Sequence, residues 1–292
     1  MIDLHTHSTA SDGTLSPSEL IAKAAAIGLE GIALTDHDTL RGLPAFLRAA
    51  KGRPIKAVPG VEIACSWYRR SLHLLGLFID CDCAELADLL STVRDNRDIR
   101  NRKMLQKLMG LGIPLTYEDI EQEAGDHVVG RPHFAAALVA KGICETSREA
   151  FQKYLGRQAA AYVPRYLPLP EATIRAIHSA GGLAIWAHPA GGPQAGQPAR
   201  IRQVARQLVQ QGLDGIEVFY PDHSEADMKA LESIGRVLDL AFSGGSDFHG
   251  TNMPGVELGV GRGGLKIPLR YLTALTQRLP AHREGATPDL KS

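Results

Sequence analysis

The chain has 292 residues with a hydrophobic content of 44%, enough for one large α/β domain or for a core domain with a second unit inserted into it. Lys plus Arg and Asp plus Glu both come to 32, so the net charge is zero and no overall basic field exists to hold duplex DNA; an anionic substrate has to be met locally. Four cysteines (Cys65, Cys81, Cys83, Cys144) are too few and too irregular for a disulfide framework at this length.

Asp3 and His5 stand where the apolar core of a secretory signal would lie, and no run approaches the roughly 18 apolar residues of a membrane span. A cytoplasmic protein with no membrane partner is expected. The opening run Met1-Ile-Asp-Leu delivers His5 and His7 to the end of a short strand. Side chains alternate along a strand, so these two point the same way and can grip one metal ion. Asp12 follows on a turn containing Gly13, where its carboxylate can swing back toward the same cavity. Alone, a His-X-His pair is a weak motif and fits two surface histidines equally well.

Ser16-Pro17-Ser18-Glu19 then opens a helix with an N-cap serine and proline at the first helical position, running to Gly28. Gly31–Thr35 is a short apolar strand ending at Asp36-His37-Asp38, and a second helix from about Thr39 to Lys51 leads to a strand at Ile55–Ile63 that ends near Glu62. Leu72–Ile79 is another strand and carries His73. From 82 to 164 the pattern turns helical, with one long stretch over Ala84–Gly110 and shorter ones over 117–124, 132–141 and 147–155, so this segment is expected to be an inserted cap between barrel segments 1–81 and 165–280. Strand and helix alternation resumes through strands at Leu183–Ala187, Gly215–Phe219 and Ala241–Ser243, and a polar tail follows over 281–292. Repeated β-then-α units imply a parallel sheet with right-handed crossovers, open or closed into a barrel.

The strand ends carry the chemistry. His5 and His7 follow the first strand, His37 the second, Glu62 ends the third, His188 follows Ala187, and Asp247 and His249 follow Phe242–Ser246. The C-terminal edge of a parallel sheet is where such loops converge, so scattered histidines explain this placement poorly. Mixed His and carboxylate donors without Cys pairs point to an open catalytic site for two or three ions, with Glu62 as the bridge. Such a centre can attack a phosphoryl or a carbonyl group. His127, His178 and His223 have no strand-end placement and are read as surface residues, and His282 lies in the loose tail.

His5-Thr-His7 with Asp12, Thr35-Asp-His37-Asp, Pro59-Gly-Val-Glu62, His73, Gly130-Arg-Pro-His133, Ala187-His188-Pro and Gly245-Ser-Asp247-Phe-His249 together resemble the ordered motif set of the PHP (polymerase and histidinol phosphatase) family over about residues 1–265. Within it the chain is similar to the branch of 3',5'-nucleoside bisphosphate phosphatases and 5'-3' exoribonucleases. The resemblance implies an α/β fold, a distorted (β/α)7 barrel with a helical insertion. It also implies a trinuclear site, usually for Mn2+, with Zn2+, Fe2+ or Mg2+ as alternatives. Carried over, it suggests His5, His7, Glu62 and Asp247 around one ion, Glu62, His73 and His133 around a second, and Asp12, His37 and His249 around a third. Asp12 stands where some relatives have histidine, which changes the charge of the third site. His188 is left for phosphate or outer contacts, with direct ligation as the competing view.

The activity so implied is hydrolysis of the 3'-phosphate of 3',5'-nucleoside bisphosphates, with trimming of short oligoribonucleotides beside it. A hydroxide bridging the ions would attack phosphorus in line, and His249 or His188 would protonate the leaving 3'-oxygen. Arg131, two residues before a presumed ligand, and Arg157 are the candidates to bind the second phosphate. Arg94, Arg97 and Arg100 alternate with Asp95 and Asp98 and are read as a solvated, salt-bridged face. Trp67, Tyr68 and Phe134 are candidates for base stacking or for packing. Histidinol phosphate or another small phosphomonoester is the alternative substrate, a metal-dependent attack on a carbonyl the alternative reaction, and a non-catalytic interaction module the alternative of another class; the intact ligand set argues against the last.

Overall fold

Short apolar runs and amphipathic stretches alternate along the chain, and each takes the conformation its period favours. The computed structural model describes residues 1–279 apart from Arg69, 126–127 and 192–195, so His127, His282 and the tail lie outside the described residues. In chain order the main elements are β1 (Ile2–Asp3), α1 (Pro17–Ala26), β2 (Gly31–Leu34), α2 (Leu43–Ala50), β3 (Lys56–Trp67), β4 (Arg70–Leu77), α3 (Ala84–Gly110), α4 (Tyr117–Ala124), α5 (Arg131–Ala140) and α6 (Ser147–Ala150). They continue with α7 (Pro170–Ser179), β5 (Leu183–Ala187), α8 (Pro198–Gln210), β6 (Gly215–Phe219), α9 (Glu225–Val237), β7 (Ala241–Gly244) and α10 (Arg270–Gln277). The start of α1 is fixed by a reciprocal cap: Ser16 accepts from the Glu19 amide, Glu19 accepts from the Ser16 amide, and Pro17 needs no donor there.

The seven strands form one sheet in the order β1 to β7. The pairs β1–β2, β2–β3, β5–β6 and β6–β7 are parallel, whereas β3–β4 and β4–β5 are antiparallel, so the all-parallel sheet expected from the alternation is corrected. The reason is covalent. Two residues separate Trp67 from Arg70, and a connection that short joins antiparallel strands only. Irregular backbone bonds draw the two edges together: Leu4 N donates to Gly244 O at 3.1 Å, Asp247 N to His5 O at 2.8 Å, and Thr6 bridges Phe248 in parallel. The result is the nearly closed seven-stranded barrel expected.

Contacts divide the chain into two units, Met1–Leu90 with Pro168–Ser292, and Ser91–Leu167. In the first, alternation splits each strand between two clusters: Ile32 and Leu34 pack with Leu20, Ile21 and Phe46 of the helices, while Ala33 joins Ile2, Leu4, Leu75 and Ile185. The second unit has its own core of Met104, Leu108, Ile120, Phe134, Leu138 and Leu155. Phe134 is fully buried there and serves packing. Among the described residues no helix is long and apolar enough to cross a membrane.

Candidate metal centre

Strand ends and one hairpin supply the donors. His5 and His7 leave β1, His37 follows β2, His188 follows β5, and Asp247 and His249 follow β7. Glu62 and His73 sit inside β3 and β4, which run past the rim as a hairpin, so Glu62 does not end its strand as expected. His188 and Asp247 hold φ angles of 31° and 55°, a left-handed backbone that costs a residue with a side chain of order 1–3 kcal/mol and is retained where the surroundings impose it.

Three groups of donors converge. In the first, His5, His7, Glu62 and Asp247 are all buried. His5 Nε2 lies 3.4 Å from Glu62 Oε2 and 3.3 Å from Asp247 Oδ1; His7 Nε2 lies 3.3 and 3.1 Å from the same two oxygens. None of these four atoms has a hydrogen-bond partner. Buried polar atoms are nearly always satisfied, so four orphans aimed at one point fit a cation between them. In the second group, the other Glu62 oxygen, Oε1, lies 2.7 Å from His73 Nδ1 and 3.1 Å from His188 Nε2. The third joins His7, Asp12, His37 and His249, with Asp12 3.3 Å from His249 Nε2, 3.7 Å from His37 Nε2 and 3.8 Å from His7 Nδ1. Glu62 thus faces two groups with different oxygens, and His7 faces two with different nitrogens.

Charges in this cluster reinforce one another. Burial raises the pKa of Asp247, but His5 and His7 outweigh it and hold the carboxyl well below the usual range. Glu62 is likewise raised by burial and more strongly lowered by His37, His73 and His5; Asp12 is lowered by His249 and His37 against its own burial. Burial pulls His7 down, yet Asp247 and Glu62 push it up to about 10. Without a cation, protons on the imidazoles balance the carboxylates, so an entering ion has to displace them.

Buried groups that the sequence reading missed fix this rim. Asp3 accepts from Ser246 N at 2.8 Å, Ser246 Oγ at 2.6 Å and Gly259 N at 2.7 Å, and Asp36 accepts from Ser8 N, Ser8 Oγ and Ser11 Oγ. Glu217 meets His5 and the backbone of His188, and the Tyr220 hydroxyl donates to Asp247 Oδ2 at 3.0 Å. The signal was present for Asp3 and Glu217, each a carboxylate between two buried apolar neighbours in sequence. Gly245 has no room for a side chain, since a Cβ would fall 2.3 Å from His5 N.

His133 is in none of the three groups. It lies in the helical unit, where its Nδ1 accepts from Gly130 N at 3.0 Å, and the group that holds Glu62 and His73 contains His188. His223, expected at the surface, is buried with Nδ1 donating to Val218 O, while His178 is half-exposed and pairs with Asp214 at 2.7 Å. Arg97 and Arg100 are also buried rather than solvated. With Arg131, Arg165, Phe151 and Tyr162 they line a cavity of about 290 Å³ within the helical unit, and none of the described residues that line it is acidic. Burial, then Arg165, Arg131 and Arg97, push Arg100 down to about 10, so it stays charged at neutral pH. Arg157 is exposed on a turn and does not line this cavity.

A barrel whose rim gathers carboxylates and imidazoles in cation-sized groups defines a metal-dependent hydrolase. Residues 3–154 match the PHP domain family. The chain is 38% identical to a 5'-3' exoribonuclease of Haemophilus influenzae over 85% of its own length and 89% of the relative's, and 36% identical to a 3',5'-nucleoside bisphosphate phosphatase of Chromobacterium violaceum over 88% and 90%. A solved chain from Bifidobacterium adolescentis, assigned as a metal-dependent phosphoesterase, superimposes with a TM-score of 0.78 at 29% identity, covering 96% of each chain. The chain belongs to the PHP family and is a metal-dependent phosphoesterase.

Proposed function

We propose that the enzyme removes the 3'-phosphate of 3',5'-nucleoside bisphosphates in the cytoplasm, using two or three Mn2+ ions. The reading is carried by three cation-sized donor groups gathered on the barrel rim, which suit attack on a phosphoryl centre. It accords with the name of the Chromobacterium relative, and that of the Haemophilus relative favours short oligoribonucleotides as a second substrate class.

His5, His7, Glu62 and Asp247 would hold one ion, Glu62, His73 and His188 a second, and Asp12, His37 and His249, with His7 beside them, a third. Bound there, the ions supply Lewis acidity toward the phosphoryl oxygens and lower the pKa of coordinated water; Zn2+, Fe2+ and Mg2+ are alternatives. Glu62 links two of the groups because each of its oxygens faces a different set of imidazoles. The Nδ1 of His249 is 2.7 Å from the Asp247 carbonyl, which only accepts, so Nδ1 carries the proton and Nε2 presents its lone pair to the Asp12 group. A ring nitrogen that holds an ion cannot give a proton to the leaving oxygen, so His249 and His188 serve as ligands and the 3'-oxygen takes its proton from solvent. Within the helical unit, Arg131 lines a cavity with Arg97, Arg100 and Arg165 and is the candidate to bind a phosphate.

The test is kcat/KM with Mn2+ on 3',5'-bisphosphoadenosine, histidinol phosphate and p-nitrophenyl phosphate. The first should be preferred by at least about tenfold, a difference of about 1.4 kcal/mol in transition-state binding. A preference for histidinol phosphate overturns the nucleotide reading.

A further inference from the structure

Glu217 is a carboxylate in the middle of an apolar strand, between Ile216 and Val218, with no exposed surface. A charge so placed is costly unless each oxygen is matched. Both are. Oε1 lies 3.0 Å from His5 Nδ1, and Oε2 accepts from the backbone N–H of His188 at 2.6 Å. The two partners belong to different donor groups, His5 to the one with His7, Glu62 and Asp247, and His188 to the one with Glu62 and His73.

Each contact has a chemical consequence. The Glu217 oxygen engages the His5 ring through Nδ1, the nitrogen that faces away from the donor group. That leaves Nε2, the atom 3.4 Å from Glu62 and 3.3 Å from Asp247, to offer a lone pair to a cation. His188 stands at a φ of 31°, which its side chain does not favour, and the short bond from its N–H to Glu217 holds that turn in place. From the turn, His188 Nε2 reaches Glu62 Oε1 at 3.1 Å.

We propose that Glu217 is a positioning residue for two metal-holding histidines at once: it fixes the ring of His5 with Nε2 free for an ion and holds the strained turn that delivers His188. The inference rests on reading both groups as metal sites. Glu217 belongs to neither group itself. Glutamine has nearly the same shape but only one accepting atom, so Glu217→Gln can satisfy one of the two N–H groups. If the amide NH2 faces His5, Nδ1 has to accept and the ring proton moves to Nε2, where an ion would bind. If it faces His188, two donors meet at the turn.

The experiment strips wild type and Glu217→Gln with chelator and titrates each calorimetrically with Zn2+ and with Mn2+, with melting temperatures taken before and after loading. The variant should lose about tenfold to a hundredfold in affinity at one site or more, and its metal-induced rise in melting temperature should shrink. A merely structural carboxylate would shift both melting temperatures together and leave affinity unchanged; that result overturns the proposal. A variant that fails to fold leaves a measurement on wild type: 15N NMR of the Zn2+-loaded protein should find His5 protonated at Nδ1 and metal-bound through Nε2, and Nδ1 on the metal overturns the proposal. Wild type that takes up no metal overturns the metal-site reading as well, whereas metal uptake without activity on bisphosphates counts against the proposed substrate alone.

Discussion

The barrel rim and the cavity of the helical unit concentrate charge in opposite ways. On the rim, electron pairs gather: Nε2 of His5 and His7, Oε2 of Glu62 and Oδ1 of Asp247 are buried without hydrogen bonds. In the helical unit, N–H donors gather, with four arginines and no acid among the described residues lining one cavity. The rim mixes carboxylates with imidazoles, so protons can balance it when no cation is bound. Guanidinium has no such recourse, because it does not lose its proton near neutral pH. The rim can therefore be assembled first and loaded later, whereas the cavity keeps its positive charge throughout.

Removing a rim charge should have the largest effect. Asp247→Asn keeps the shape and the Tyr220 contact of the side chain but removes the charge facing His5 and His7. Turnover should fall by about a thousandfold or more, about 4 kcal/mol in the barrier, with circular dichroism unchanged. Retained activity would show that this carboxylate holds no ion.

Next comes the question of which unit completes the second donor group. His188→Ala should weaken metal binding by about tenfold to a hundredfold, while His133→Ala should leave the number of bound ions unchanged. Counting ions per chain in both variants after loading with Mn2+ settles it. A loss in His133→Ala would break the comparison, because the helical unit would then supply an electron pair as well as donors.

Arg131→Ala probes the cavity alone. A charged hydrogen bond is worth about 1.5–3 kcal/mol, so KM for the bisphosphate should rise by about tenfold to a hundredfold with kcat less affected. The same change should scarcely affect p-nitrophenyl phosphate, which has no second phosphate. An equal loss on both substrates would remove Arg131 from the anchoring role.

Much of the rim was legible because strand alternation and strand ends are written in the sequence: His5 and His7 share a face by spacing alone, and His37, His188 and Asp247 follow apolar runs. The cavity was misread by attending to neighbours in sequence rather than on the helix. Asp95 and Asp98 interleave with Arg97 and Arg100, but the buried positions of α3 run Leu86, Leu90, Val93, Arg97, Arg100, Asn101, Met104, Leu108. The arginines thus continue an apolar stripe at spacings of three and four, which places them inward. The hairpin of β3 and β4 was missed because the apolar pattern places strands at Ile55–Ile63 and Leu72–Ile79, whereas in the structure they run on to Trp67 and back to Arg70; that His188 gathers with Glu62 and His73 depended on which distant segments meet there, and no local pattern encodes that.

A charge pair outside both regions gives the scale against which they are measured. The hydrogen bond that His178 donates to Asp214 raises the pKa of the imidazole, with burial opposing it, and the side chain is 40% exposed. A histidine whose folded pKa lies above its unfolded value of 6.5 adds stability that is fully present below that value and is lost as pH rises through the folded pKa. Solvent screening keeps the pair below about 1 kcal/mol. The difference in melting temperature between about pH 5.5 and about pH 8.5 should therefore be slightly smaller in His178→Ala than in wild type, with turnover unchanged. A loss of turnover in His178→Ala as large as that in Asp247→Asn would mean that ordinary paired charges account for it, and the rim would lose its claim to be a site built for ligands.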